Sequence, residues 1–319
     1  MILAYRALGL GDVLTGVPAL RALARAQPGD RLVLAAPRAL APLARLTGAV
    51  DEVVDARPLA PLPSAVHGAA LAVNLHGRGP QSHAVLLAAR PRAMVAWRHA
   101  AVWPGVGSGV AVAGAPEWRA AEHEVARWCR LLEESGIPAD PADLALAPPD
   151  VAPPAVARGA LVVHPGAASG ARRWPAERWA AVARAFDGPV VVTGGPGERA
   201  LAEEVARAAG LAGDAVLAGR TDLATLAAVV AAADCVACGD TVVAHLATAF
   251  RTPSVVLFGP TPPTEWGPPA DARHQVLWAG RRGDPHADAP DPNLLAIGVP
   301  AVIAAVERAR AQFDPAAAG

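Results

Sequence analysis

The chain has 319 residues, a length typical of two domains, and 53% of them are hydrophobic, which excludes an intrinsically disordered protein. Its 28 basic residues nearly balance 29 acidic ones for a net charge of −1, which argues against a sequence-independent nucleic-acid binder. Every basic residue is arginine, so a Walker-type phosphate loop and any Schiff-base lysine are excluded.

Short apolar runs alternate with helical stretches in the first half of the chain, which predicts βαβ units and a mostly parallel sheet. The predicted strands span residues 1–6, 31–35, 52–55, 70–75 and 93–97. The predicted helices span residues 13–26 and 120–134. Residues 147–154 then contain four prolines in eight positions, which no helix or central strand tolerates. We therefore interpret residues 148–158 as an interdomain linker.

The same alternation resumes in the second half of the chain. The predicted strands span residues 160–164, 189–193, 215–217, 234–237 and 254–258. The predicted helices span residues 176–186, 198–209, 222–232 and 300–312. The pattern predicts two Rossmann-like α/β domains, 1–147 and 159–297, whose sheets face a shared cleft. The last segment, 298–319, is predicted to be helical and to pack back on the first domain. Because open α/β sheets bind ligands at the carboxyl ends of their strands, the loops there are the candidate site.

The loop after the first strand carries the candidate Asp12. Gly9 and Gly11 allow a tight backbone turn, and Asp12 falls at the start of a helix, where the dipole favours a carboxylate. One interpretation is a plain helix N-cap, which contributes about 1 kcal/mol. The other is a general base at the cleft. The glycine spacing does not match the dinucleotide-binding fingerprint.

Two loops in the second half have the composition of phosphate-binding segments. After the strand that ends at His164, the segment to Pro175 contains small residues, Ser169 and the adjacent Arg172 and Arg173. Their planar guanidinium groups suit phosphate oxygens, although two solvated surface arginines explain the composition equally well. The segment 193–198 is a glycine-rich turn into a helix, whose N–H groups suit phosphate or ribose.

A third loop, from Cys238 to His245, again joins a strand to a helix. Asp240 and Thr241 have the types of helix caps, and a buried, satisfied histidine is an alternative explanation for His245. Cys235 and Cys238 have C-x-x-C spacing without a second pair, so a zinc or redox centre is disfavoured. The segment 258–268 follows an apolar strand and is too rich in proline for regular structure.

The joint order of these segments resembles glycosyltransferase family 9, the ADP-heptose:lipopolysaccharide heptosyltransferase family, over nearly the whole chain. The resemblance rests on segments 11–14, 18–21, 74–77 and 164–167, with Ser82, and on segments 173–175, 194–198, 240–245, 259–261 and 266–268. It implies the GT-B fold, with a first domain on the acceptor side and a second domain that binds a nucleotide sugar.

The family's site residues carry over to matching positions of this sequence. Asp12 corresponds to the catalytic base, Arg172 occupies the place of a lysine that faces the donor diphosphate, and Glu198 corresponds to an acid that contacts ribose. The donor-binding positions that the resemblance implies are Ser169, Arg172, Arg173, Thr193, Gly194, Gly195, Glu198, Thr221, Asp240, Thr241, His245, Gly259, Pro260 and Thr261. The acceptor-side positions are Gly11, His76 and Arg78.

Two positions depart from the family pattern. Val242 stands where the family has glycine after the Asp-Thr pair, and arginine replaces the lysine at position 172. An acceptor side near Trp97 and Trp103 is a further candidate, with core packing as its alternative.

The resemblance implies an inverting, metal-independent transfer of a heptose or related sugar from a nucleotide diphosphate-sugar, with ADP as the expected nucleotide. The acceptor would be a hydroxyl of a glycan, a glycolipid such as lipopolysaccharide, or a small molecule. The nucleotide sugar is a co-substrate, so neither a cofactor nor a metal is expected, and nucleic acid is not an expected partner. The alternatives are a non-catalytic sugar-nucleotide-binding protein and a nicotinamide-dependent oxidoreductase.

The protein is expected in the cytoplasm. No export signal and no membrane-spanning run is recognised, and three cysteines are too few for a disulfide framework. A lipid-linked acceptor would bring the enzyme to the inner membrane face, although no basic amphipathic helix requires this.

Overall fold

The chain forms two compact units that meet in sequence between Leu146 and Ala147. Residues 1–101 and 109–312 are described by a computed structural model. The division falls within the proline-rich segment, one residue before the expected linker, and the two units are described separately below.

The first unit is built around a six-stranded, fully parallel sheet with the order β3-β2-β1-β4-β5-β6. Its strands are β1 (Ile2–Tyr5), β2 (Leu32–Ala36), β3 (Glu52–Asp55), β4 (Leu71–Asn74), β5 (Ala93–Val95) and β6 (Ala111–Gly114). Its helices are α1 (Leu10–Thr15), α2 (Val17–Ala26), α3 (Ala41–Leu46), α4 (Gln81–Ala88) and α5 (Glu124–Glu133). The chain order reverses between β1 and β4, so the loops that follow these two strands are neighbours.

The expected helix over residues 13–26 is two helices in the structure, and the first of them starts earlier. α1 begins at Leu10, and α2 begins at Val17 with Pro18 in its first turn. Proline is tolerated only there, because its ring and missing N–H break a helix interior. The early start of α1 moves Asp12 into its first turn. β6, α3 and α4 lie in segments for which the sequence predicted no element.

The second unit has a five-stranded, fully parallel sheet with the order β11-β10-β9-β7-β8. Its strands are β7 (Leu161–His164), β8 (Val190–Val192), β9 (Cys235–Gly239), β10 (Ser254–Phe258) and β11 (His274–Trp278). Its helices are α6 (Ala176–Ala185), α7 (Arg199–Ala209), α8 (Leu223–Ala231), α9 (Val242–Phe250), α10 (Pro263–Trp266), α11 (Pro292–Leu295) and α12 (Val299–Ala311). Here the order reverses between β7 and β9.

Three expectations for the second half differ from the structure. The segment 258–268 was expected to lack regular structure, but Pro263–Trp266 form the short helix α10, with proline in its first turn. Residues 215–217 do not form a strand, because only Val216 pairs with Val192, in a single bridge beyond β8. The terminal helix α12 was expected to pack back on the first domain, but it belongs to the second unit and packs against α6, β10 and β11. Its apolar face contributes Val302 and Val306 to the core of that unit. None of the helices in the described ranges is both long and apolar enough to cross a lipid bilayer.

Candidate functional site

Asp12 lies in the first turn of α1, three residues after the cap residue Gly9. Its Oδ2 accepts a hydrogen bond from the Gly9 N–H at 3.1 Å. Asp12 is therefore not the N-cap itself, which corrects the simpler interpretation, although it does satisfy a backbone donor at the helix start. Its side chain keeps 27% of its surface exposed. Burial raises the pKa of the Asp12 carboxyl above its ordinary value, and Arg6 opposes that rise. Such a carboxylate is partly dry and still accessible, which suits a base.

The positive charge beside Asp12 comes from Arg6, which follows β1 directly and is fully buried. Arg6 donates through Nε to the backbone carbonyl of Asp12 and through Nη1 to that of Leu75. Its Nη2 donates to Thr15 Oγ1 at 3.1 Å and to Glu124 Oε1 at 3.0 Å. The same Nη2 is 3.7 Å from Asp12 Oδ1. A buried guanidinium is tolerated because its donors are paired.

Glu124 completes this cluster from the first turn of α5. It accepts hydrogen bonds from Arg6, from Trp128 Nε1 at 2.7 Å, and from Arg127 Nη1. Burial by itself would raise the pKa of the Glu124 carboxyl, but these donors outweigh burial and hold that pKa below its usual range. Glu124 is therefore ionised at neutral pH. The Trp128 ring covers the guanidinium of Arg6, with its centroid 4.8 Å from Cζ.

The loop after β4 brings a second predicted residue to the same edge of the sheet. The His76 ring stacks on Tyr5, with centroids 4.5 Å apart and planes inclined by 10°. Burial, followed by the charge of Arg6, lowers the pKa of His76 to about 4, so the ring is neutral at pH 7. Its buried Nδ1 has no hydrogen-bond partner among the described residues. Gly11 lies in the first turn of α1, and Arg78 is exposed.

In the second unit, the loops after the neighbouring strands β7 and β9 bring Arg172 and Asp240 together. Arg172 Nη1 donates to the Asp240 carbonyl at 3.2 Å and is 3.7 Å from Asp240 Oδ2. Gly239 permits this approach, because a Cβ there would be 3.1 Å from the Arg172 carbonyl oxygen. Burial raises the pKa of Asp240 to about 6 in spite of the nearby arginine. The terminal Nη2 of Arg172 makes no hydrogen bond within residues 1–101 and 109–312 and can bind an anion.

The start of α9 leaves polar groups open beside this pair. Its cap residue Thr241 makes no side-chain capping bond, and the buried Thr241 hydroxyl faces only sulfur, the Cys238 thiol, without an oxygen or nitrogen partner in the described chain. Free N–H groups at a helix N-terminus attract anions. His245 lies one turn further along α9, where its ring meets that of Trp266 edge-on at 6.0 Å.

Glu198 lies in the glycine-rich turn after β8, where its side chain is held by neighbouring backbone groups. Its Oε2 accepts a hydrogen bond from the Gly195 N–H at 2.8 Å, and its carboxylate lies against Gly166, where a Cβ would overlap it. The buried His164 and Thr193 meet beneath this turn, with 3.0 Å between Nδ1 and Oγ1. The structure thus brings the loops after β7 and β8 together around Glu198.

The other predicted donor positions lie in the same loops, and several of them bond to loop carbonyl groups. Arg173 donates from Nε and Nη2 to the Ala167 carbonyl, so it stabilises the loop after β7. The Ser169 hydroxyl donates to the Pro285 carbonyl at 2.7 Å and lies 3.4 Å from Arg172 Nε. Gly194 lies in the turn beside Glu198. The carboxyl end of β10 is followed by the predicted positions Gly259, Pro260 and Thr261. Thr221 precedes α8 and has no contact that joins it to Arg172 or Asp240 among the described residues.

Sequence reasoning assigned no role to Arg6 or Glu124, and it did not anticipate the contact of Gly166 with Glu198. The signal for Arg6 was a charged residue directly after an apolar strand, and that for Glu124 was its i, i+4 spacing to Trp128. Trp97 is fully buried, as in the core-packing alternative, and Trp103 lies outside the described residues.

The cysteines offer no reactive centre in the described chain. All three are buried and unpaired, and burial raises the pKa of Cys235 to about 12 and that of Cys238 further still. Both thiols therefore stay protonated within β9, which removes the redox interpretation of the C-x-x-C spacing.

Solved structures of the same fold span nearly the whole chain. A glycosyltransferase family 9 protein from Veillonella parvula DSM 2008 superposes with a TM-score of 0.76 at 20% identity, covering 98% of this chain and 97% of its own. E. coli ADP-heptose LPS heptosyltransferase II gives 0.74 at 21% identity, with 98% of each chain covered. E. coli heptosyltransferase WaaC with ADP gives 0.69 at 21% identity, covering 96% of this chain and 98% of its own.

These similarities show the GT-B heptosyltransferase fold. No curated protein sequence is significantly similar to this chain. The model of glycosyltransferase family 9 (heptosyltransferase) matches residues 83–296, about two thirds of the chain. The chain therefore belongs to glycosyltransferase family 9 and is a glycosyltransferase.

Proposed function

We propose that the protein transfers a heptose or related sugar from an ADP-linked donor to a hydroxyl group, with inversion at the anomeric carbon. The observation that carries the proposal is the pair of polar sites at the two switch points. The first unit supplies an accessible carboxylate with a raised pKa, and the second supplies an open cation beside a helix N-terminus.

Asp12 is the base in this proposal. It takes the proton from the acceptor hydroxyl as that oxygen attacks the anomeric carbon, a contribution of typically ~10²–10⁴ in rate. Its raised pKa makes it a better proton acceptor than a solvated aspartate. In-line attack opposite the leaving group inverts the configuration.

The second unit binds the donor. The free N–H groups of Arg172 and the start of α9 stabilise the charge that develops on the leaving diphosphate. The Asp240 carboxylate accepts hydrogen bonds from sugar hydroxyls, and Glu198 does so from the ribose. ADP as the nucleotide is supported by the solved relatives, because WaaC was determined with ADP and with ADP-2-deoxy-2-fluoro heptose.

The acceptor is a hydroxyl of a glycan or glycolipid, as in lipopolysaccharide assembly. His76 and Gly11 follow strands at the carboxyl edge of the first sheet, as Asp12 does, and would contact the acceptor. Arg78 lies further along the loop after β4. We place the reaction in the cytoplasm, at the inner membrane face when the acceptor is lipid-linked.

A thermal-shift panel of ADP-, GDP-, UDP- and dTDP-sugars tests the donor assignment. A ligand at 100 times its Kd adds about 2.7 kcal/mol of stability, so the correct nucleotide raises Tm measurably. We expect ADP and ADP-heptose to give the largest shifts. Mass-spectrometric detection of the glycosylated acceptor then separates catalysis from binding alone. A larger shift with another nucleotide would overturn the ADP assignment.

Metal independence has its own test. Because arginine and helix N–H groups are proposed to neutralise the diphosphate, transfer should be unchanged in excess EDTA. The measurement is initial rate with EDTA, followed by added Mg²⁺. A rate that collapses with the chelator and recovers with Mg²⁺ would show that a cation shares this role.

A further inference from the structure

The environment of Asp12 contains a buried arginine shared between two carboxylates. Arg6 is fully enclosed, and its Nη2 is 3.0 Å from Glu124 Oε1 but 3.7 Å from Asp12 Oδ1. Nη2 carries two hydrogens, and these go to Thr15 and Glu124. Asp12 Oδ1 therefore feels the charge of Arg6 without receiving a hydrogen bond from it.

Arg6 is nevertheless bonded firmly to the Asp12 backbone. Its Nε donates to the Asp12 carbonyl, and Thr15 Oγ1 donates to the same carbonyl at 2.9 Å. The arginine thus fixes the position of the first turn of α1 but donates no hydrogen bond to the Asp12 carboxylate.

Glu124 is held in place independently of Asp12. Trp128 and Arg127 both donate to its carboxylate, and its position in the first turn of α5 favours a negative charge. Among the described residues, Arg6 is the side chain that hydrogen-bonds to both Glu124 and Asp12, which are more than a hundred residues apart in sequence.

We propose that Glu124 is a positioning residue of this site, which engages the Arg6 guanidinium so that Arg6 anchors the Asp12 backbone without donating to the Asp12 carboxylate. The inference rests on the proposed role of Asp12 as the base. Glu124 also repels the negative charge of Asp12, which keeps the Asp12 proton affinity high. His76 is the other titratable group facing Arg6, and it is neutral above about pH 5.

Neutralising Glu124 should therefore make Asp12 a weaker base. In Glu124→Gln, Asp12 becomes the one carboxylate in the described part of the chain that interacts with the charge of Arg6. We therefore expect the titration midpoint of Asp12 to drop by roughly one pH unit. The measurement is ¹³C NMR of the full-length protein labelled at aspartate Cγ. The Asp12 resonance is assigned by its loss in Asp12→Asn. This midpoint is independent of sugar transfer.

Glu122→Gln is the matched control. It makes the same chemical change two residues away, at a carboxylate that pairs with Arg130 instead of Arg6. We expect the Asp12 midpoint to stay where it is in the unmodified protein. An equal drop in both variants would overturn the proposal, because it would reflect a general loss of negative charge.

Thr15→Val provides a second route if Glu124→Gln does not fold. Valine keeps the shape of threonine but frees one Nη2 hydrogen for Asp12 Oδ1, so the midpoint should fall again. The acid limb of the pH dependence of kcat/KM should move in the same direction.

The outcomes separate the two proposals. An unchanged Asp12 midpoint in the folded variants, with Asp12→Asn inactive, overturns the role of Glu124 alone. Retained turnover in Asp12→Asn overturns the base assignment whatever the midpoints are.

Discussion

The arginine beside Asp12 and the arginine beside Asp240 differ in how completely they are hydrogen-bonded. Around Asp12, the Arg6 guanidinium is paired on every nitrogen, and the Glu124 carboxylate accepts from three side chains. At the second switch point, Arg172 is 3.7 Å from the Asp240 carboxylate, and the buried Thr241 hydroxyl has no oxygen or nitrogen partner in the described residues. Arg6 and Glu124 are thus fully engaged, although His76 Nδ1 and Arg127 Nε beside them have no partner among the described residues. Arg172 and Thr241, in contrast, each keep a polar group available for a ligand.

The difference matches what each unit is proposed to do. A base must stay in one position and hold its proton affinity, so a closed network serves it. A donor site must exchange its ligand, and unsatisfied groups carry a desolvation penalty of about 1–3 kcal/mol each that a ligand can remove. The first network should therefore control rate, and the second should control affinity.

The largest expected effect comes from the carboxylate of the closed network. Asp12→Asn keeps the size of the side chain but removes the proton acceptor, so kcat should fall by about 10²–10⁴-fold. The ADP-induced thermal shift should be retained, because donor binding belongs to the second unit. Steady-state kinetics and thermal shift on the same preparation check the fall in kcat and the retained ADP binding. If Asp12→Asn kept most of its turnover, Asp12 would not be the base.

The next largest effect concerns Asp240 in the open site. Its pKa of about 6, against 3.8 for a free aspartate, means that the folded protein retains a proton that the unfolded chain has lost. The resulting stability is complete below about pH 4 and is lost as the pH rises through 6. The loss amounts to about 3 kcal/mol.

The difference in free energy of unfolding between Asp240→Asn and the unmodified protein should therefore favour the variant by about 3 kcal/mol more at pH 7.5 than at pH 4. The variant should also bind the donor more weakly. Urea unfolding at the two pH values measures the difference. Asp271→Asn is the control. The hydrogen bonds from Arg273 lower the pKa of Asp271 to about 2, so its stability contribution changes only below about pH 4. This partly exposed pair contributes little, and the effect of the variant should be nearly the same at pH 4 and pH 7.5. Equal behaviour of the two variants would contradict the assignment.

Local chemistry made much of this fold predictable. Strands such as Glu52–Asp55 and Ser254–Phe258 agree with the sequence expectation at both ends. The second is an apolar run bounded by turn residues, which is typical of a buried parallel strand. β6 was missed because its short, largely exposed run of small residues carries no apolar signal. Residues 215–217 were over-assigned because their apolar run forms one bridge only.

The site was predictable as a set of loops but not as a network. Each loop follows a strand, and parallel strands end at one edge, so the sequence places Arg172 and Asp240 near each other. Nothing local links Arg6 to Glu124, because their contact depends on α5 packing against α2. The resemblance to the family supplied residue roles, whereas the raised pKa of Asp240 required knowledge of its burial.

The smallest expected effect tests the fit of Glu198 against Gly166. A Cβ at position 166 would overlap the Glu198 carboxylate, so Gly166→Ala must displace that side chain and break its bond with the Gly195 N–H. Because Glu198 is proposed to bind the ribose, ADP affinity should fall by about tenfold, the value of one hydrogen bond to a charged group. Gly197→Ala is the matched control, since a Cβ at position 197 meets no atom within 4 Å. Isothermal titration calorimetry of both variants with ADP makes the comparison. Equal affinities would mean that the position of Glu198 does not govern nucleotide binding, and the open site would then depend on Arg172 and α9 alone.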